Sequence, residues 1–275
     1  MYEEYYSSIP DKNAYLSRIG IDDHDLPPTV ETLDRLIMAH LMHVPFENID
    51  VYDKGMTPSL AISELFEKIV TSRRGGYCFE LNAAFMSLLE SVGFEVHAAA
   101  ARILWRRDSY PPYSHRVSLV TINAKRYFCD VGFGGPSPTR AILLDDAKPQ
   151  DSESGRFVVK TGASDTKTVF RITDEGPEAT LLFIAQPFAP VDFIPLNFYI
   201  ANNASSMFLS KRIANLKTRD GSAAIDGDIL RIHSDNEVSE TKLETVEDTK
   251  NALRQYFGII IADNLKTVAA VPNIV

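Results

Sequence analysis

The chain has 275 residues, 45% of them hydrophobic and 24% charged, which is enough apolar surface for a buried core and excludes a disordered chain. Thirty-seven acidic side chains against 28 basic ones leave a formal charge of −9, which argues against an extended phosphate-binding face of the kind nucleic-acid modules carry. Two cysteines, Cys78 and Cys129, cannot make a disulfide framework, and no apolar run reaches the roughly 18 to 20 residues needed to cross a bilayer. The leading segment MYEEYYSSIP carries an acidic pair where a secretory signal has lysines, with no apolar stretch after it. A cytoplasmic location with no membrane or nucleic-acid partner is therefore expected.

Residues 1–93 read as a helical bundle. From Thr29, after Pro27 and Pro28, the stripe Leu33, Leu36, Ile37 and Leu41 recurs at three and four positions, the period of a helix with one buried face. A second helix is predicted from a Ser59 cap, with Ile62, Leu65, Phe66 and Ile69 on one side. A third is predicted from about Cys78, turning Leu81, Phe85, Leu88, Leu89 and Val92 inward and ending at Gly93. Residues 94–188 switch to short β-rich runs at 94–105, 114–122, 127–131, 140–144, 156–160, 168–173 and 180–185. Turn formers such as Asn123, the Gly134–Gly135 pair and Glu175 with Gly176 separate them, the pattern of an antiparallel barrel or sandwich. Residues 189–275 are mixed, with a loop or short helix over 197–206, a strand near 229–232 and a last helix over 245–257. Helices, then strands, then a mixed region make an α+β chain.

Cys78 lies in RGGYCFELN, residues 74–82, at the predicted start of an amphipathic helix. The unpaired N–H groups and partial positive charge of a helix N-terminus stabilise a thiolate over a thiol, and Gly75 and Gly76 permit the sharp turn that presents a side chain there. Taken alone, the position suits a nucleophile and a small buried hydrophobe equally. His115 and Asp130 shift that balance. His115 opens SHRVSLVTI, Asp130 ends YFCD, and a turn near Asn123 lies between them, so an antiparallel hairpin brings imidazole and carboxylate within reach. Such a bond fixes the imidazole's tautomer and stabilises its protonated form beside a thiolate. Singly, His115 reads as a half-exposed strand histidine and Asp130 as a strand-end residue before Gly132.

RGGYCFELN with Cys78, SHRVSLV with His115 and DVGFGG from Asp130 resemble the three catalytic motifs of arylamine N-acetyltransferases. VPFENID, residues 44–50, is similar to that family's proline-phenylalanine-glutamate-asparagine signature. The resemblance spans nearly the whole chain and implies a helical bundle, a central antiparallel β-barrel and a C-terminal α/β lid around a cysteine-protease-like Cys-His-Asp core. It implies ping-pong chemistry: Cys78 accepts an acetyl group from acetyl-CoA, a co-substrate and not a permanently bound cofactor. An arylamine or arylhydrazine nitrogen, or an arylhydroxylamine oxygen, then takes that group, with His115 moving the proton and Asp130 orienting it. By the same resemblance Phe133 lines the acyl and amine pocket, Trp105, Tyr199 and Ser205 contact the coenzyme, and Phe208 closes the cleft. Glu47 and Arg74 form a structural ion pair behind the site. The backbone N–H of Cys78 or Phe79 is the oxyanion donor suggested by position.

Two other readings use the same residues. A papain-like or transglutaminase-like hydrolase has cysteine, histidine and aspartate in this order, and amide synthases of the resembling family close macrolactams. No metal site is expected, because His40 and His43 stand three apart on a helix but the nearest acid, Glu47, is assigned to Arg74. Cys129, next to Asp130 on a strand, points to the opposite face and reads as core. The basic pairs Arg106–Arg107 and Lys211–Arg212 read as solvated surface, either one available to coenzyme phosphates.

Overall fold

The computed structural model describes residues 2–235, 237–262 and 264–267. The N-terminal helices begin where side-chain caps satisfy their first N–H groups. Asp11 accepts from Ala14 N ahead of α1 (Lys12–Arg18), and Thr29 accepts from Thr32 N ahead of α2 (Val30–His43). After β1 (Phe46–Glu47) and the short α3 (Ile49–Tyr52), α4 (Ile62–Phe66) runs into a π turn over Glu67–Thr71. The helix predicted from Ser59 starts later because that hydroxyl accepts the N–H of Ala61 in a local turn instead of capping the helix. At the centre lies α5 (Cys78–Val92), with twelve buried residues, as expected of a helix that is apolar nearly all round. Gly93 ends it with φ 105°.

Among the described residues the strands form two antiparallel sheets. The larger comprises β2 (Glu95–Ile103), β3 (His115–Ile122), β4 (Lys125–Cys129), β5 (Ile142–Leu143), β6 (Gln150–Ser152), β7 (Gly155–Thr161), β8 (Thr166–Thr173) and β9 (Gly176–Ile184), in the order β5-β4-β3-β2-β9-β8-β7-β6. It curls into a nearly closed barrel around Ala99, Ala101, Val117, Leu119, Phe128, Phe157, Val169 and Phe183. The alternate residues Ala98 and Ala100 face the helical core, where small side chains let the sheet approach α5. The Gln150 side chain holds the two edges together: its amide accepts from Leu143 N at 2.8 Å and donates to Leu143 O at 3.0 Å. The strand predicted at 127–131 instead spans 125–129, leaving Asp130 just beyond the ladder.

The last region packs α6 (Phe193–Asn202) and α7 (Met207–Ser210) before β10 (Ile213–Thr218), β11 (Gly221–Asp226), β12 (Ile229–Ser234), β13 (Glu237–Lys242) and α8 (Val246–Phe257). The second sheet runs β1-β10-β11-β12-β13, so its first strand comes from the N-terminal region, with Phe46 opposite Asn215. A strand was expected only near β12; β10, β11 and β13 are short, polar or rich in small residues, and their partners make them strands. Arg212, read as surface, is in fact fully buried. It forks onto Asp53 at 3.0 and 2.5 Å and donates to Lys266 O. No helix among the described residues is long and apolar enough to cross a membrane.

Candidate active site

The loop that ends at Cys78 is built on the VPFEN segment. Glu47 N donates to Gly76 O at 2.9 Å, and Phe46 and Gly76 form a parallel bridge. The contact is so close that a Cβ on Gly75 would stand 1.9 Å from Pro45 O, so only glycine fits. Arg74 locks this arrangement. Its Nε donates to Glu47 Oε1 at 2.9 Å, Nη2 approaches the same oxygen at 2.7 Å and Asp50 Oδ1 at 3.2 Å, and Glu47 Oε2 accepts from Ile49 N. Burial opposes the charge on Arg74, but Glu47 and Asp50 outweigh it and hold the guanidinium firmly protonated.

Cys78 is the first residue of α5 and is 3% exposed. Tyr77 before it is extended, and its N–H donates to Glu80 Oε2 at 3.1 Å. The Cys78 Sγ lies 3.8 Å from Ser114 O, immediately before His115. The β3–β4 hairpin turns through Asn123 and Ala124, both at positive φ, the geometry that matches strand twist. Its register sets Ser118 opposite Cys129, so His115 reaches Asp130 on the diagonal, with Nε2 at 2.6 Å from Oδ2. The other carboxylate oxygen accepts from Asn82 Nδ2 and Gly132 N, both at 2.9 Å, while Asn82 Oδ1 accepts from Val131 N at 3.0 Å. Gly132 is pinned as well, because a Cβ there would lie 2.9 Å from Cys78 Cα.

His115 is completely buried, and its Nδ1 has no hydrogen-bond partner among the described residues. Burial disfavours the imidazolium. Asp130, by its charge and its hydrogen bond, and Cys78, by its charge, reverse that and raise the ring's pKa from 6.5 to about 10. Nε2 is committed to Asp130, so Nδ1 is the nitrogen left for the sulfur. For Cys129 the balance is opposite: burial first, then Asp130 and Asp34, pushes the thiol well above its ordinary value, which makes it inert.

Aromatic side chains pack against His115 and against Tyr77, the residue before Cys78. Phe133 meets His115 edge-on with centroids 5.6 Å apart and Trp105 at 6.3 Å. Phe208 packs edge-on against Tyr77 at 5.5 Å and leans on Phe46. Phe46 and Phe133 line a cleft of about 290 Å³ between barrel and second sheet, which also receives Arg171 and Lys217. Tyr199, 46% exposed, and Ser205, whose hydroxyl donates to Asn203 Oδ1, are not among that cleft's lining residues. Asn82 escaped the sequence reading, although its place one turn after Cys78 on the same helix face was the available signal.

A cysteine at a helix N-terminus beside a buried imidazole–carboxylate pair is the equipment of enzymes that transfer acyl groups through sulfur. The sequence model of the N-acetyltransferase family matches residues 29–266. The arylamine N-acetyltransferase of Mycolicibacterium smegmatis is 28% identical over 258 residues, covering 92% of this chain and 93% of that protein. A Salmonella typhimurium protein named arylamine N-acetyltransferase / N-hydroxyarylamine O-acetyltransferase is 30% identical, covering 91% and 89%. The solved arylamine N-acetyltransferase of Mycobacterium marinum in complex with CoA superposes with a TM-score of 0.83 at 27% identity, over 90% of this chain and 93% of that one. The chain belongs to the arylamine N-acetyltransferase family.

Proposed function

We propose that the protein moves an acetyl group from acetyl-CoA to the nitrogen of an arylamine or arylhydrazine, or the oxygen of an arylhydroxylamine, through a thioester on Cys78. The observation that carries this reading is Cys78 at the mouth of α5, its Sγ 3.8 Å from Ser114 O, next in the chain to a His115 bonded to Asp130, which Asn82 and Gly132 tie down. In the first half-reaction the Cys78 thiolate attacks the thioester carbonyl. The carbonyl carbon–sulfur bond to CoA breaks, and the CoA thiolate leaves with the proton of the His115 imidazolium. In the second, the acceptor nitrogen or oxygen attacks acetyl-Cys78, His115 takes its proton, and the thiolate is restored.

Each tetrahedral intermediate needs N–H donors. The Cys78 and Phe79 N–H groups at the helix start are unused by the helix itself. Phe133 supplies a flat wall against His115 for an aromatic acceptor. The cleft beyond it, with Arg171 and Lys217 in its lining, suits the polyanionic coenzyme, and Trp105 packs edge-on against the Phe133 that lines it. An acidic chain thus meets an anionic substrate through local donors and not through a general field.

Intact-mass measurement after mixing with acetyl-CoA and no amine tests the reading. An acetyl adduct is expected on the wild type and not on Cys78→Ala. No adduct with acetyl-, propionyl- or malonyl-CoA would overturn it, and cleavage of a peptide or amide would point to a hydrolase.

A further inference from the structure

A run of buried charges passes behind the Cys78 loop and ends on the residue before the nucleophile. Glu47 holds Arg74, and Arg74 also holds Asp50. Asp50 Oδ2 lies 2.6 Å from Lys68 Nζ, which is likewise 2.6 Å from Glu80 Oε1. The second Glu80 oxygen accepts the N–H of Tyr77. Lys68 and Glu80 side chains are only 16% and 2% exposed, so their charges are weakly screened. Burial opposes the ammonium of Lys68, but Glu80, Glu47 and Asp50 overcome it and keep it protonated. The network opens into a cavity of about 460 Å³ whose lining includes Asp50, Lys54, Lys68, Arg74 and Glu80.

Glu80 occupies the third position of α5 and Cys78 the first. A carboxylate in the first turn opposes a neighbouring thiolate, while the helix N-terminus favours it. Lys68 cancels that carboxylate at contact distance. His115 and Asp130 face Cys78 from the barrel, and Asp50, Lys54, Lys68, Arg74 and Glu80 stand behind it.

We propose that Lys68 and Glu80 are positioning residues for acyl transfer: their buried ion pair fixes Tyr77 and balances the charge of the first turn of α5, and so sets the reactivity of Cys78. This rests on Cys78 being the nucleophile. A purely structural pair predicts that removing either partner damages the site in the same direction. Charge balance predicts opposite signs. Glu80→Gln leaves an extra cation behind Cys78, and Lys68→Met leaves a carboxylate.

The test is the pH profile of Cys78 alkylation by iodoacetamide, with Cys78→Ala as the blank. A unit charge about 12 Å from the sulfur, at an effective dielectric of about 20, moves a thiolate equilibrium roughly tenfold. Burial raises the Glu80 carboxyl to about 7 despite Lys68, so the rates are compared on the part of the profile above that value, where Glu80 is ionised: there Glu80→Gln is expected to react several-fold faster than wild type and Lys68→Met several-fold slower. The double variant and Lys68→Arg should return close to the wild-type rate. Slowing in both single variants, or no change in either, would overturn the proposal. If Lys68→Met fails to fold, the sign for Glu80→Gln alone decides: faster supports the proposal, unchanged or slower overturns it. Alkylation needs no acetyl-CoA, so failure here is separable from absence of the acetyl adduct, which would instead remove the nucleophile assignment.

Discussion

At the scale of single residues, the carboxylate of Asp130 is the most constrained group in the site. One oxygen is bonded to His115 and the other to Asn82 and Gly132, so it cannot rotate without leaving a buried donor unpaired. The consequence is a pH dependence of stability. Histidine titrates near 6.5 when unfolded, and the fold raises His115 to about 10 because Asp130 and Cys78 outweigh burial. A raised pKa means that the folded state binds the proton more tightly. The stabilisation is therefore complete below pH 6.5 and is lost as pH rises through about 10. Denaturant titrations between pH 6 and 10.5 should show wild-type stability falling over that window, with His115→Gln lacking that component. Parallel curves for the two proteins would contradict this assignment. The place of Cys78 at a helix start and the approach of His115 to Asp130 were legible in the sequence because each residue sits beside strong local punctuation: two glycines, a strand start and a glycine-rich turn. Asn82 was not, because its importance comes from a partner 48 residues away.

At the scale of elements, the loop from residue 72 to residue 78 is a strap held by ion pairs and by close backbone approach to β1. Arg74 is its main anchor. Arg74→Ala would leave Glu47, 1% exposed, as a buried carboxylate without its cation, a loss of about 3–5 kcal/mol. A lowered melting temperature and a matching loss of acetyl-adduct formation are expected. Loss of the adduct at an unchanged melting temperature would show instead that Arg74 acts directly on substrate. The Glu47–Arg74 pairing was suggested by family resemblance, but the participation of Asp50 and Lys68 was not. Both are ordinary charged residues in sequence, and only their convergence on the strap distinguishes them from solvated surface.

At the scale of the whole molecule, α5 packs between β2 and β3 of the barrel on one side and α1 and α4 on the other, and the cleft forms between the barrel and the second sheet. The barrel is closed by a side chain and not by a strand pair, since Gln150 bonds Leu143 in both directions. Gln150→Ala is expected to lower unfolding free energy by about 1–2 kcal/mol and to leave the initial rate of acetyl transfer unchanged. Urea denaturation beside a steady-state assay checks both, and an unaffected midpoint would mean that the barrel closes without this clasp.

The sequence by itself determined the order of layers and that Cys78 stands at a helix start, because helix periodicity, strand alternation and turn residues act over a few neighbouring positions. Tertiary structure alone decided that β1 joins the second sheet, that Arg212 is buried on Asp53, and that Asn82, Lys68 and Glu80 surround the site. Those outcomes depend on pairings between segments far apart in the chain, where a polar residue becomes necessary only once burial removes its water and leaves it a single partner.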